Sequence, residues 1–246
     1  MPKLALVTPI HNPFLTQIEV QRLNKSLSLN QNYHHFFVYP KSMKFDNIIK
    51  LFPNSNFKFF DKGFFTSKSA YNNLMLSQEF YEYFLDYEYI LIHQTDAFLI
   101  KNLKPILEKD FTYLGASWNP AFVISNIYGH LFVNRNVPFA SQKTYLTSGN
   151  GGLSLRKTST ILDAIVFFKS NNLFFKQIFK NRRIAEDLLL VYMLYLIGHS
   201  IISKKEADRY FIESAKIDYL TAKEKFGFHA LEKFQPNLEK QLLANL

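Results

Sequence analysis

The 246-residue chain is 48% hydrophobic and 17% aromatic, with 26 Phe and 14 Tyr, which allows a sizeable core and excludes a disordered class. It has no cysteine, so disulfides and thiolate metal sites are excluded. A formal net charge of +9 implies attraction to an anionic partner: nucleic acid, anionic lipid or a phosphorylated small molecule.

After Met1-Pro2-Lys3, the apolar run Leu4-Ala5-Leu6-Val7 is shorter than a signal-peptide core. The longest later apolar run, Leu188 to Ile197, is shorter than a membrane span. A soluble, cytoplasmic protein is therefore expected.

Lys3 to Thr8 reads as a first strand, closed by Pro9. Pro13 to Leu29 reads as a helix with Leu15, Ile18, Leu23 and Leu27 turned inward. His34 to Tyr39 and Phe57 to Asp61 are the next strands. Thr66-Ser67 supplies N-cap candidates for one long helix running to about Asp86, with Ala70, Leu74, Tyr81, Phe84 and Leu85 at core spacing. Strands alternating with helices over the first 100 residues predict a mostly parallel sheet with helices on both faces. No G-x-G-x-x-G turn follows the first strand and no Walker loop occurs, which argues against a dinucleotide-binding or P-loop site.

Tyr89 to Ile100 is the central stretch. It starts as a continuous apolar strand, breaks at Gln94-Thr95-Asp96, and resumes at Ala97. A carboxylate there is costly to bury without compensation, and strand carboxyl ends are where open α/β sheets bind ligands. Taken alone, Asp96 reads better as a turn cap.

Phe111 to Ala116 is a strand leading to Ser117 and Trp118, the chain's one tryptophan. Residues 119–147 show no strong period and read as a long loop with short elements. Ser148-Gly149-Asn150-Gly151-Gly152 then runs into Leu153-Ser154-Leu155-Arg156. This is either a hairpin turn or a place where backbone N–H groups approach a ligand. A helix from Thr158 to about Lys169 follows. Phe174 to Arg183 interleaves aromatics with cations, as an interfacial helix on an anionic membrane would, or as core aromatics beside solvated cations. Glu186-Asp187 opens the apolar helix from Leu188, and Phe226-Gly227-Phe228-His229 forms an aromatic turn near the end.

In order, Gln94-Thr95-Asp96, Gly115-Ala116-Ser117-Trp118, Gly149-Asn150-Gly151-Gly152-Leu153-Ser154-Leu155-Arg156, Glu186-Asp187 and Phe226-Gly227-Phe228-His229 resemble nucleotide-sugar glycosyltransferases of the GT-A fold. More narrowly, the set is similar to a bacterial family of that fold known as a domain of unknown function. The resemblance spans about Tyr89 to Leu231 and implies a single GT-A-like domain. Its nucleotide-binding half would run to about residue 115, with an acceptor half from about 116 to 246.

The resemblance puts Asp96 on a divalent cation, Mn²⁺ or Mg²⁺, that bridges a nucleoside-diphosphate sugar, with His229 as a second ligand. Thr8, Gln94, Gly151 and Gly152 would border the donor. Trp118, Asn150 and Arg156 would lie toward the substrate. Asp187, or else Glu186, would be the base, kept ionised by the helix N-terminus. Gln94 stands in place of the first acid of a D-x-D motif, removing a charge beside the metal. The acceptor implied is a glycan or glycolipid precursor of the cell surface, such as lipopolysaccharide or capsule, and no nucleic acid is expected as a partner. Two other readings are a basic, aromatic-rich nucleic-acid-binding protein, suggested by Arg182-Arg183 and Lys204-Lys205, and a GT-A-fold carbohydrate binder without turnover.

Overall fold

The computed structural model describes residues 3–127, 130–133, 142–170 and 184–244. Its centre is a six-stranded sheet. The first strands are β1 (Leu4–Pro9), β2 (His34–Pro40), β3 (Asn56–Phe60) and β4 (Tyr89–His93). β5 (Ala97–Leu99) belongs to a smaller sheet, while β6 (Tyr113–Gly115) returns to the large one. After β7 (Ser117–Ile127), β8 (His130–Val133) and β9 (Gln142–Ser148), β10 (Leu153–Lys157) enters the large sheet as well.

The large-sheet order is β3-β2-β1-β4-β10-β6. The first four strands pair in parallel, and β10 alone runs antiparallel to both neighbours. The mostly parallel sheet expected from the strand–helix alternation is thus present, with helices on both faces in a single domain.

Period-two alternation sends the two faces of β1 into different cores. Leu4 and Leu6 join Leu91, Leu153 and Leu155 on one side. Ala5 and Val7 join Ile90 and Ile92 on the other, packed with Leu74, Phe80, Ile161 and Leu190. The helices, in chain order, are α1 (Gln17–Leu29), α2 (Asp46–Leu51), α3 (Lys68–Met75), α4 (Gln78–Tyr83), α5 (Lys104–Leu107), α6 (Thr158–Ser170) and α7 (Glu186–Leu196). After α8 (Lys204–Tyr210) come β11 (Phe211–Ile212), α9 (Tyr219–Glu224), β12 (Gly227–His229), α10 (Leu231–Phe234) and α11 (Pro236–Ala244).

Three departures from the sequence expectations have local causes. The helix expected from Thr66 to Asp86 is two helices, because the Ser77 hydroxyl accepts the Phe80 N–H and starts α4 afresh. Helix α1 begins at Gln17, not Pro13. Thr16 and Glu19 form a capping box there, with Thr16 N–H donating to Glu19 Oε2 at 2.8 Å. Within the stretch 119–147, the described residues form strands, β7 pairing antiparallel with β8 and β9. An irregularity between Ser117 and Phe122 breaks the two-residue period, which is why no strand pattern shows in the sequence. The segment Phe174 to Arg183 lies outside the described residues.

Candidate active site

The single antiparallel strand brings the motifs together. Because β10 runs against β4, its first residue, Leu153, pairs with His93 at the carboxyl end of β4. Gly151-Gly152 therefore lands beside Gln94-Thr95-Asp96, and the Gln94 N–H donates to the Gly152 carbonyl at 2.9 Å. After the turn closed by Ala97 N–H to Gln94 O, the chain leaves the large sheet as β5 and joins β12 and β11. β12 pairs antiparallel with β5, His229 opposite Ala97, and the Ala230 N–H donates to the Asp96 carbonyl at 2.9 Å.

Asp96 and His229 thus converge. His229 Nε2 lies 3.2 Å from Asp96 Oδ1, and its Nδ1 is 3.1 Å from Glu213 Oε1. Lys233 Nζ donates to Asp96 Oδ2 at 3.1 Å. Burial alone lowers an imidazole pKa, but contact with Asp96 and Glu213 outweighs it and holds His229 up at about 9. Burial raises Asp96, yet His229 and Lys233 together hold it well below the usual carboxylate range.

The residues fit a divalent cation on one observation: His229 Nε2 is buried, faces Asp96, and makes no directed hydrogen bond. An imidazole nitrogen and a carboxylate oxygen suit Mn²⁺ or Mg²⁺. Among the described residues no group of three or more His, Cys, Asp or Glu surrounds a common point. Were Asp96 and His229 to hold such an ion, its other ligands would have to come from substrate or water.

A second cluster lies across the glycines. Arg156, fully buried on β10, contacts Glu186 Oε1 at 3.2 Å, donates to the Tyr81 hydroxyl at 2.9 Å and to Ser154 Oγ at 3.0 Å. Asp187, the next residue of α7, accepts the Gly151 N–H on Oδ2 at 2.9 Å and the Leu188 N–H on Oδ1 at 2.7 Å. A helix N-terminus was expected to lower its pKa. The structure reverses that: burial and then the Glu186 charge push Asp187 above the usual carboxylate range, only partly countered by the two N–H donors and Arg156.

The glycines fit because side chains would not. A Cβ on Gly151 would stand 2.6 Å from Glu186 Oε1 and 2.9 Å from Asp187 Cβ, and one on Gly152 would overlap the His229 ring. Of the three turn glycines, Gly149, at φ 134°, is the one that uses the conformational freedom of glycine. Gly152→Ala is expected to cost about 1–3 kcal/mol by overpacking and to displace the imidazole from Asp96. Chemical denaturation and the His229 ring resonances in NMR check the two effects; an unmoved His229 signal contradicts it.

Other residues singled out in the sequence sit differently. Thr8 is wholly buried and hydrogen-bonded to His35 at 2.9 Å, so its side chain does not open to a donor. Trp118 is 7% exposed and packs edge-on against Phe122 and over Gly149; it is a core residue, not an open acceptor wall. Arg156 is fully buried and spends its donors on Ser154, Tyr81 and Glu186. Asn150 Oδ1 accepts the Gly152 N–H at 3.0 Å and shapes the turn. The Gln94 amide reaches the Tyr71 hydroxyl at 3.4 Å. The sequence reading missed Glu213, Lys233 and Glu19, whose Oε1 accepts the Thr95 hydroxyl at 2.5 Å. Lys233 lies on α10, which starts two residues after the strand that ends at His229.

The galactosyltransferase LgtC, solved in complex with donor and acceptor sugar analogs, superposes with a TM-score of 0.57 at 12% identity, over 98% of this chain and 96% of that one. A 4-diphosphocytidyl-2C-methyl-D-erythritol synthase reaches 0.45 at 13% identity, covering 83% and 89%. The bifunctional glycosyltransferase WbbM, in its apo structure, reaches 0.49 at 12% identity, and the chain spans 50% of its length. The likeness to LgtC establishes the fold alone, which is GT-A-like. No curated protein matches the chain in sequence. Residues 54–229 match the family model described as a protein of unknown function, DUF5672, and the chain belongs to that family.

Proposed function

We propose that the protein is a glycosyltransferase moving a sugar from a nucleoside-diphosphate donor to a hydroxyl of a glycan or glycolipid acceptor. The observation that carries this reading is the meeting of Asp96, His229, Gly151-Gly152 and Asp187 at the carboxyl end of β4, on a fold used by sugar-nucleotide enzymes. The donor lies across the half up to about residue 115, and the acceptor enters from the side of α7.

Asp96 and His229 would hold Mn²⁺ or Mg²⁺ against the diphosphate, and that cation supplies stabilisation of the charge appearing on the leaving group. Lys233, exposed beside Asp96, adds an ammonium to the same side. Phe14, 67% exposed, projects from the loop after β1, just before the Thr16–Glu19 cap that binds Thr95, and offers the nucleobase an aromatic face. In the reaction, the bond from sugar C1 to the diphosphate oxygen breaks and one from the acceptor oxygen to C1 forms. The acceptor proton passes to Asp187. A single carboxylate on the acceptor side fits inversion at C1.

The acceptor class we favour is a cell-surface glycan precursor, such as one for lipopolysaccharide or capsule. A cytoplasmic protein, peripheral on an anionic membrane, suits that acceptor; no helix among the described residues is long and apolar enough to cross a bilayer. A thermal-shift screen of nucleotide sugars, with and without Mn²⁺, tests the reading. One donor class should stabilise the fold, more strongly with the ion. Uniform indifference to all donors contradicts it.

A further inference from the structure

We propose that Glu213 is the positioning residue for His229: its carboxylate fixes the imidazole through Nδ1, so that Nε2 is presented with Asp96 to a hard divalent cation. The inference rests on the transferase reading above and adds a residue that the sequence motifs do not contain.

The small sheet explains how the three residues meet. Asp96 immediately precedes β5, His229 ends β12, and Glu213 directly follows β11. β11 and β12 are parallel, with Ile212 opposite Phe228, so one further step along both strands sets Glu213 beside His229. On its other side β12 is antiparallel to β5, with His229 opposite Ala97, which sets Asp96 at the same end of the sheet. Three strands therefore deliver an acid, an imidazole and an acid in a row.

The imidazole sits in the middle of that row and is held from three directions. Its Nδ1 is 3.1 Å from Glu213 Oε1. A Cβ on Gly152 would overlap the ring, so the β10 turn closes one face and leaves little room to rotate. Nε2 is buried, 3.2 Å from Asp96 Oδ1, and makes no directed hydrogen bond. One ring nitrogen is anchored on Glu213 and the other is aimed at the Asp96 carboxylate, so the imidazole and that carboxylate present their donor atoms at one place. A carboxylate accepting the far N–H fixes the tautomer, orients the ring and raises its basicity as a ligand.

The test is titration of the full chain with Mn²⁺ alone, reading bound ion by electron paramagnetic resonance, with circular dichroism to confirm folding. Asp96→Ala should abolish binding, and Glu213→Ala should weaken it by about 10–100-fold. Glu213→Gln keeps an acceptor for Nδ1–H and should recover most of the loss. If Glu213→Ala binds Mn²⁺ as the wild type does while Asp96→Ala does not, Glu213 positions nothing, and the transferase reading stands without it. If the wild type binds no Mn²⁺, or Asp96→Ala binds equally well, the cation reading fails and takes this inference with it. Should Glu213→Ala not fold, Glu213→Leu, which fills the space but offers Nδ1–H no acceptor, decides: affinity lowered by about tenfold or more supports the role, and unchanged affinity overturns it.

Discussion

In the Asp187→Asn variant, sugar transfer is expected to fall by about 10²–10⁴-fold while donor binding stays near that of the wild type. The amide oxygen can accept only one of the Gly151 and Leu188 N–H groups that the two Asp187 oxygens engage, so the variant gives up one hydrogen bond at the turn or at the start of α7 while keeping the side chain's size and shape. It also loses the capacity to take the acceptor's proton. Single-turnover transfer assays beside donor titrations separate the two effects, and transfer within threefold of wild type would remove Asp187 from the mechanism.

Asp187 also sets a pH signature. Burial first and the Glu186 charge second hold its pKa above the ordinary carboxylate range. As pH falls through that raised value the base becomes protonated, so the transfer rate should decline on the acid side nearer neutrality than an exposed aspartate would give. Glu186→Gln removes the second cause and leaves the first, so the acid limb should move to lower pH with activity retained above it. The sign for stability follows the same raised pKa. The fold prefers the protonated form, so this contribution is full below the unfolded-state pKa and is lost as pH rises through the folded one.

The second large effect concerns stability. Arg156→Met should destabilise the protein by about 3–5 kcal/mol, because it leaves the Glu186 carboxylate buried without a partner. The Tyr81 hydroxyl and Ser154 lose a donor in the same step. Adding Glu186→Leu should restore much of the loss, since an apolar pair of similar volume avoids the desolvation of two charges. Urea unfolding of the single and double variants checks both the loss and its recovery. A single variant within about 1 kcal/mol of wild type would show that Glu186 finds water or another donor.

Much of the large sheet was legible because its strands are short apolar runs that end in punctuation. Leu4 to Thr8 stops at Pro9, and Tyr89 to His93 stops at Gln94-Thr95-Asp96. What stayed hidden depends on pairing between distant segments. Nothing in Leu153-Ser154-Leu155-Arg156 states that the strand runs antiparallel between β4 and β6, yet that direction alone sets Gly152 against His229. The sequence leaves the glycines either as a hairpin turn or as a ligand approach, and it does not show that Glu186, Asp187 and His229 crowd them. The resemblance places Arg156 toward the substrate; the sequence does not show that Tyr81 and Glu186 close over it. Glu213 gave no local signal, because an acid after a two-residue strand is indistinguishable from a solvated one until β12 is laid beside it.

The claim at the centre of this account is that Asp96 serves the diphosphate of a sugar nucleotide. Release of nucleoside diphosphate from nucleotide sugars, followed with Mn²⁺ present and without added acceptor, tests it most directly. The wild type should release diphosphate slowly from one donor class, and Asp96→Ala should release none above the uncatalysed rate. Equal release by the two proteins, or none by the wild type from any donor, contradicts the account.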